Sequence, residues 1–427
     1  MSREAASGER RPAQDPLTSL SEGIDPQAAR RALADVSVRT PTLACAELAR
    51  ELGSPVALKA ECLQATGSFK LRGALSKVAA LGDRAAQGLV TASAGNHARA
   101  VAYAARVAGV GCEVFMPLDV PVSKLAAVRA LGARVQLAGA SVDDALELAA
   151  ERALQTGAAL VHPFDDPQVI AGQGTLALEL LEDVPGLARV IVPIGGGGLA
   201  SGVGIALRRM GADVQLVGVQ AQACAPLARA LAREGAIGVA GATGAEESTG
   251  ATIADGIAVK RPGGLTLALL GELLNGIETV SEAEIADAMV FLAERAKLVA
   301  EGAGAAAVAA LRSGRLAPVA GTSVAIVSGG NVDSALLAGL LLRHEAEEGR
   351  RVRVFTRVPD RPGGLAELLE LVARTRANLV SVEHVREALP LHVRETGIEL
   401  TLQTRGREHT QELLAALEHA GYDVGPR

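Results

Sequence analysis

Four short segments of the 427-residue chain carry residue types suited to chemistry. The first is residues 65–73, ATGSFKLRG. Lysine is scarce: among 42 basic residues only Lys59, Lys70, Lys77, Lys124, Lys260 and Lys297 are lysines, the rest being arginine. Arginine stays charged at any working pH, whereas lysine can shed its proton and attack a carbonyl. Thr66, Gly67 and Ser68 read as a helix start, which puts Lys70 in the first turn. There the positive end of the helix dipole disfavours an ammonium and lowers its pKa. A lysine so poised can form a Schiff base; an ordinary exposed helix lysine is the alternative. The second segment is residues 93–98, SAGNHA, behind a strand-like end at 89–91. Successive backbone N–H groups in such a turn, around Ser93 and Gly95, form a nest for a carboxylate, and Asn96 adds amide donors. A merely capped helix with a half-buried His97 reads equally from these residues.

The third segment, residues 193–202 (PIGGGGLASG), follows an apolar strand. Gly195, Gly196, Gly197 and Gly198 let backbone approach a phosphate and donate to it. Gly195, Gly197 and Ala200 also satisfy G-x-G-x-x-A, which raises a dinucleotide site and an oxidoreductase. Such a site wants an acid roughly 20 residues further on to hold a ribose. Here the next strand ends in Gln220. A lone phosphate fits better. The fourth segment is SGGN, residues 328–331, where Ser328 closes a strand and is suited either to a backbone hydrogen bond or to a ring nitrogen.

These loops need strands and helices to hold them. Short apolar runs at 56–58, 111–116, 134–137, 190–194, 215–219 and 323–328 alternate with Ala/Leu-rich stretches. Alternation of that kind implies a mainly parallel sheet covered on both faces, with ligands at the carboxyl ends of strands. Hydrophobic residues are 49% of the chain and aromatics 2%. The core is therefore aliphatic, and stacking platforms for RNA bases are excluded. A net charge of −6 gives no basic field for nucleic acid or anionic lipid. Cys45, Cys62, Cys112 and Cys224 are scattered without a CxxC, which predicts no metal site and a reduced, cytoplasmic setting. Residues 1–16 read as a polar disordered leader without an apolar core. The longest apolar runs, such as 335–342, fall short of the roughly 18 residues a bilayer span needs, so no membrane insertion is expected. The pattern changes at 343–350, a charged stretch read as a linker. Beyond it, residues 351–427 follow the order β-α-β-β-α-β of a small ferredoxin-like unit.

Taken in order, SFKLRGA, SAGNHA, HPFDDPQVIAGQGT (162–175), GGGGL, TIADGIAVKRPG (252–263) and SGGN resemble the threonine dehydratases, in the fold-type II family of pyridoxal phosphate enzymes. The resemblance implies an α/β catalytic domain over 17–342 with two parallel-sheet subdomains, the smaller at roughly 62–155. It implies that Lys70 binds pyridoxal phosphate covalently, with Phe69 beside the ring and Asn96 at the ring's 3-oxygen. Gly195, Gly196, Gly197, Gly198 and Leu199 would bind the phosphate, and Ser328 would face the pyridine nitrogen. Ser93, Gly95, Asn96 and His97 would take the substrate carboxylate. The implied activity is β-elimination of L-threonine to 2-oxobutanoate and ammonia, with L-serine giving pyruvate. A serine racemase/dehydratase, or an amino-acid sensor with a vestigial lyase core, is the alternative. Racemases of the family carry a second serine where this chain has Ala94, and metal-binding acids where it has Gln220 and Pro226. The C-terminal residues 351–427 resemble an ACT domain through DRPGGL (360–365) and Ala377, Asn378, Leu379 and Val380. That implies a homo-oligomer, dimer or tetramer, with an amino-acid effector such as isoleucine or valine at Gly363, Gly364 and Asn378.

Overall fold

The computed structural model describes residues 16–233, 239–240, 252–385 and 394–426. The leader expected over 1–16 lies outside them except for Pro16. The chain divides into two units, Met1–Val332 and Asp333–Arg427.

In the first unit the alternating runs fold as two sheets. Seven strands lie in the order Thr42–Ala44, Val56–Ala60, Thr322–Val327, Leu187–Pro193, Gln215–Ala221, Gly276–Val280 and Val239–Ala240. Only the first pair is antiparallel. Stretches such as Val190, Ile191 and Val192 are wholly buried, as strands covered by helices on both faces must be. The second sheet is parallel throughout, in the order Arg134–Leu137, Cys112–Met116, Leu89–Ala92 and Ala159–Leu160. Three of the chemistry-bearing loops therefore leave the carboxyl ends of strands: SAGNHA after Leu89–Ala92, the glycine run after Leu187–Pro193, and SGGN after Thr322–Val327.

Local chemistry sets the helices that follow. Asp166 caps Pro167–Asp183, its carboxylate accepting from the amides of Gln168 and Val169. Proline takes the first helical position, where no N–H is needed. The helix Gly302–Arg312, GAGAAAVAALR, is buried from Gly302 to Leu311. Small side chains bring its backbone against the loops of the large sheet. A Cβ on Gly304 would lie 2.1 Å from the Gly329 carbonyl oxygen, so only glycine permits that approach to SGGN.

The second unit is a four-stranded antiparallel sheet in the order Asn378–Val385, Glu395–Gln403, Arg351–Pro359 and Gly425–Pro426. Helices Gly364–Thr375 and Arg407–His419 complete a ferredoxin-like β-α-β-β-α-β unit, joined by an apolar core that includes Val354, Leu368, Leu400 and Leu413. Residues 343–350 are not the linker expected of their charge. Asp333 caps a helix, Ser334–Glu347, that runs through most of the stretch, and Arg343 donates to Glu347 one turn on at 2.7 Å. Charges spaced at i,i+4 stabilise an exposed helix as readily as they solvate a linker. The division accordingly falls after Val332, short of the position 342 expected for the end of the catalytic domain.

Candidate active site

Lys70 is the first residue of the helix Lys70–Leu81. Backbone bonds clamp the turn before it to SGGN: Phe69 N to Ser328 O at 3.1 Å, Gly330 N to Gly67 O at 2.9 Å, and a bridge between Ser68 and Gly329. Lys70 Nζ donates to the Pro163 carbonyl at 2.7 Å and lies 5.3 Å from the centre of the Phe69 ring. Burial pushes its pKa down to about 8, against the pull of Glu301, because a desolvated ammonium is disfavoured. Residues 162–166 tie this amine to the glycine run. His162 Nδ1 accepts from the amides of Phe164 and Asp165 at 3.3 and 2.8 Å, and Asp165 accepts from Thr266 N at 2.9 Å. Thr266 Oγ1 in turn donates to Gly196 O at 2.7 Å. The Phe164 ring occupies the place a Cβ on Gly196 would take, 2.2 Å away. Gly197 adopts φ +96° and opens the helix Gly198–Arg209, with Leu199 buried behind it. That left-handed conformation suits glycine, which has no Cβ to clash. The first N–H groups of a helix have no partner within it, so this turn can receive an anion.

At SAGNHA, Gly95 N donates to Ser93 Oγ at 3.1 Å, and nothing lies within 4 Å of a Cβ on Gly95, so the turn faces open space. Asn96 Nδ2 donates to Glu301 Oε1 at 2.5 Å, and Asn96 Oδ1 accepts from Asn331 Nδ2 at 2.6 Å. The His97 side chain is committed elsewhere: its Nε2 pairs with Val161 O at 3.0 Å, and burial pushes its pKa down to about 3. A neutral, buried imidazole brings no charge to a carboxylate, which leaves His97 only its backbone N–H. Ser328 is buried, its Oγ making one long bond of 3.4 Å to Ala303 O.

Two residues here went unnoticed in the sequence. Glu301, the cap residue of the buried helix Gly302–Arg312, has its carboxyl pushed up to about 7 by burial and then by Asp255. Its signal is an acid opening an otherwise apolar Ala/Gly run. Asn331, the last residue of SGGN, donates to Thr66 O at 2.9 Å as well as to Asn96. Gln220, by contrast, is consumed structurally: its Nε2 donates to Ile194 O at 3.2 Å and its Oε1 accepts from Ala228 N at 2.9 Å.

The residues fit pyridoxal phosphate. A lysine with a depressed pKa stands beside a glycine turn at a helix N-terminus, and a serine hydroxyl has little other engagement. Thr66 Oγ1 and Ser68 Oγ, in the turn before Lys70, are buried without partners. Among the described residues no group of three or more His, Cys, Asp or Glu gathers to hold a metal ion, and no helix is long and apolar enough to cross a membrane.

The three residues expected to hold an effector are not brought together within one copy. Gly363, at φ +94°, and Gly364 follow the end of the strand Arg351–Pro359. Asn378 pairs with Gln403, which lies opposite Arg351 at the other end. At the usual rise per residue of an antiparallel strand, the two ends of that strand are separated by roughly 27 Å.

Residues 34–329 match the family model described as "pyridoxal-phosphate dependent enzyme". An L-threonine ammonia-lyase of Thermotoga maritima is 44% identical over 402 residues, covering 94% of this chain and 98% of the relative. One from Geobacter sulfurreducens is 41% identical over 90% of this chain and 94% of its own length. Among solved structures, a T.th. threonine deaminase is 42% identical with a TM-score of 0.65, covering 72% of this chain and 98% of that one. Maize serine racemase is 33% identical with a TM-score of 0.67, covering 76% and 98%. With its lysine, glycine turn and strand-end serine drawn together and this match across most of its length, the chain belongs to the pyridoxal-phosphate dependent enzymes.

Proposed function

We propose that the chain is an L-threonine ammonia-lyase, converting L-threonine to 2-oxobutanoate and ammonia, with L-serine to pyruvate as a side activity. The observation that carries the substrate is the match to the Thermotoga L-threonine ammonia-lyase, which at 94% of this chain extends into the C-terminal unit. Removal of the α-proton and expulsion of the β-hydroxyl turn threonine into aminocrotonate and water. Its imine tautomer then takes up water and releases ammonia. Pyridoxal phosphate, when bound, supplies the electron sink for the charge left at the α-carbon.

Lys70 Nζ takes the α-proton, a task that needs the neutral amine its burial favours. Gly195, Gly196, Gly197, Gly198 and Leu199 would receive the cofactor's phosphate at the helix N-terminus, where the dipole adds to the N–H donors. Phe69 would pack beside the ring, Asn96 would donate to its 3-oxygen, and Ser328 would face its nitrogen. A hydroxyl there, unlike a carboxylate, would not hold that nitrogen protonated, which would favour prompt loss of the β-hydroxyl. Ser93, Gly95 and the backbone N–H groups of Asn96 and His97 would take the substrate carboxylate. Similarity to maize serine racemase favours a second reading, racemisation, but Ala94 offers no hydroxyl as a proton donor on the opposite face.

The C-terminal unit we read as an ACT-like sensor of an amino acid. Because Gly363 and Gly364 lie a strand's length from Asn378, a site containing all three needs two copies of the chain, which accords with a cytoplasmic homo-oligomer. Steady-state ammonia release from threonine and serine, with and without a panel of amino acids, tests the proposal. Turnover of neither substrate would overturn it, and a higher kcat/KM for serine would reassign the substrate.

A further inference from the structure

Asn96 stands in a chain of side-chain bonds whose direction is set at both ends. Arg99, which can only donate, donates to Asn331 Oδ1. That turns Asn331 Nδ2 toward Asn96 Oδ1 at 2.6 Å and Thr66 O at 2.9 Å. Asn96 Nδ2 is thereby turned toward Glu301 Oε1 at 2.5 Å. An ionised carboxylate only accepts, so Glu301 enforces the same orientation from the far end. Glu301 is itself fixed: its N–H donates to Gly329 O at 3.1 Å, its side chain is buried, and a Cβ on Gly329 would lie 2.3 Å from Oε1.

We infer that Glu301 is a positioning residue, working with Asn331 to fix the Asn96 amide so that its second N–H is presented to the cofactor's ring oxygen; this rests on the role proposed above for Asn96. One N–H of Nδ2 is spent on Glu301 and Oδ1 accepts from Asn331, so the remaining N–H is the one donor the amide has left to offer. A charged acceptor makes that bond roughly twice as strong as a neutral one, so protonation of Glu301 loosens the amide. The groups facing Glu301 are Asp255, Lys124 on the helix Val122–Arg129, Arg99 on the helix Asn96–Ala108, Lys70, and Cys62 in the turn Glu61–Leu63. Burial and Asp255 raise its pKa to about 7, while the Asn96 bond, Lys124 and Arg99 oppose the rise. The carboxyl is therefore protonated and the amide loose below about pH 7, and both are set above it.

The test is the visible spectrum of the substrate-free, cofactor-loaded enzyme between pH 5.5 and 9. The wild type should show a spectral transition with a midpoint near 7. Glu301→Gln keeps an acceptor but cannot ionise, so its spectrum should lose that transition and its kcat should fall about tenfold above pH 7 with little change below, as loss of one charge-assisted bond implies. Glu301→Asp, which keeps the charge on a shorter arm, should retain the transition with its midpoint moved by about half a pH unit or more. A glutamine variant with the wild-type midpoint, an aspartate variant with an unmoved one, or a wild type with no transition would each overturn the inference. A wild type with no visible band would instead overturn the cofactor reading, and this inference with it.

Discussion

Capture of the cofactor by Lys70 should follow the ionisation of a buried amine rather than that of a surface lysine. Only a neutral amine attacks an aldehyde. Burial lowers the pKa of this one from 10.5 to about 8. Roughly one amine in ten is then neutral at pH 7, against about one in three thousand for an ordinary lysine, a gain of about 300-fold. Stopped-flow absorbance of cofactor-depleted protein mixed with pyridoxal phosphate reads the rate of capture. That rate should climb about tenfold from pH 6 to pH 7 and level off above 8. A rate that keeps climbing to pH 10 would refute the reasoning, because it would place the amine in water. Lys70→Ala should show neither a visible band nor turnover, yet melt close to the wild type. Truncation there removes one hydrogen bond, to Pro163 O, worth about 1 kcal/mol. Lys70→Arg should do no better, since guanidinium does not deprotonate.

Other consequences of the geometry are open to measurement. Gly196→Ala forces a methyl to within 2.2 Å of the Phe164 ring; overpacking of about 1–3 kcal/mol should appear as weaker cofactor binding in a fluorescence titration, and unchanged affinity would argue against a cradle there. Arg72 is buried between Glu61 and Glu179, with contacts of 2.9 and 2.6 Å. Arg72→Leu would strand two buried carboxylates and should cost about 3–5 kcal/mol in urea unfolding, whereas a loss under about 1 kcal/mol would mean that Lys59 alone compensates. D-serine formed from L-serine should be negligible beside pyruvate on chiral chromatography, and a comparable yield would show that some group other than residue 94 delivers the opposite-face proton. Deleting residues 333–427 should leave elimination intact while abolishing any response to amino acids; a truncated enzyme that responds as before would remove the sensing role from this unit.

Local features of the chain encode its loops and elements. A glycine run, a Ser/Asn turn or a capping aspartate acts through backbone within a few residues, so SFKLRG, SAGNHA, the glycine run and SGGN are readable as turns at the ends of helices and strands wherever they fall in space. Alternation of apolar runs with Ala/Leu stretches likewise specifies parallel sheets, since a strand buried on both faces has no polar side to show. The helix Ser334–Glu347 escaped notice because RHEAEEGRR suits an exposed helix as well as a linker, and only the capped, continuous backbone distinguishes them. The partners of Asn96 lay beyond local reading altogether. Glu301 and Asn331 are 205 and 235 residues away, and they meet Asn96 only where two sheets and a buried alanine helix converge. His97 shows the converse: its type and place suit a carboxylate site, but packing turns its ring to Val161 O and burial keeps it neutral. Sequence therefore determined which backbones can bend and which side chains can react. Tertiary structure decided which of those groups are desolvated and paired, because burial and hydrogen bonding between distant segments depend on strand order and not on any residue's neighbours along the chain.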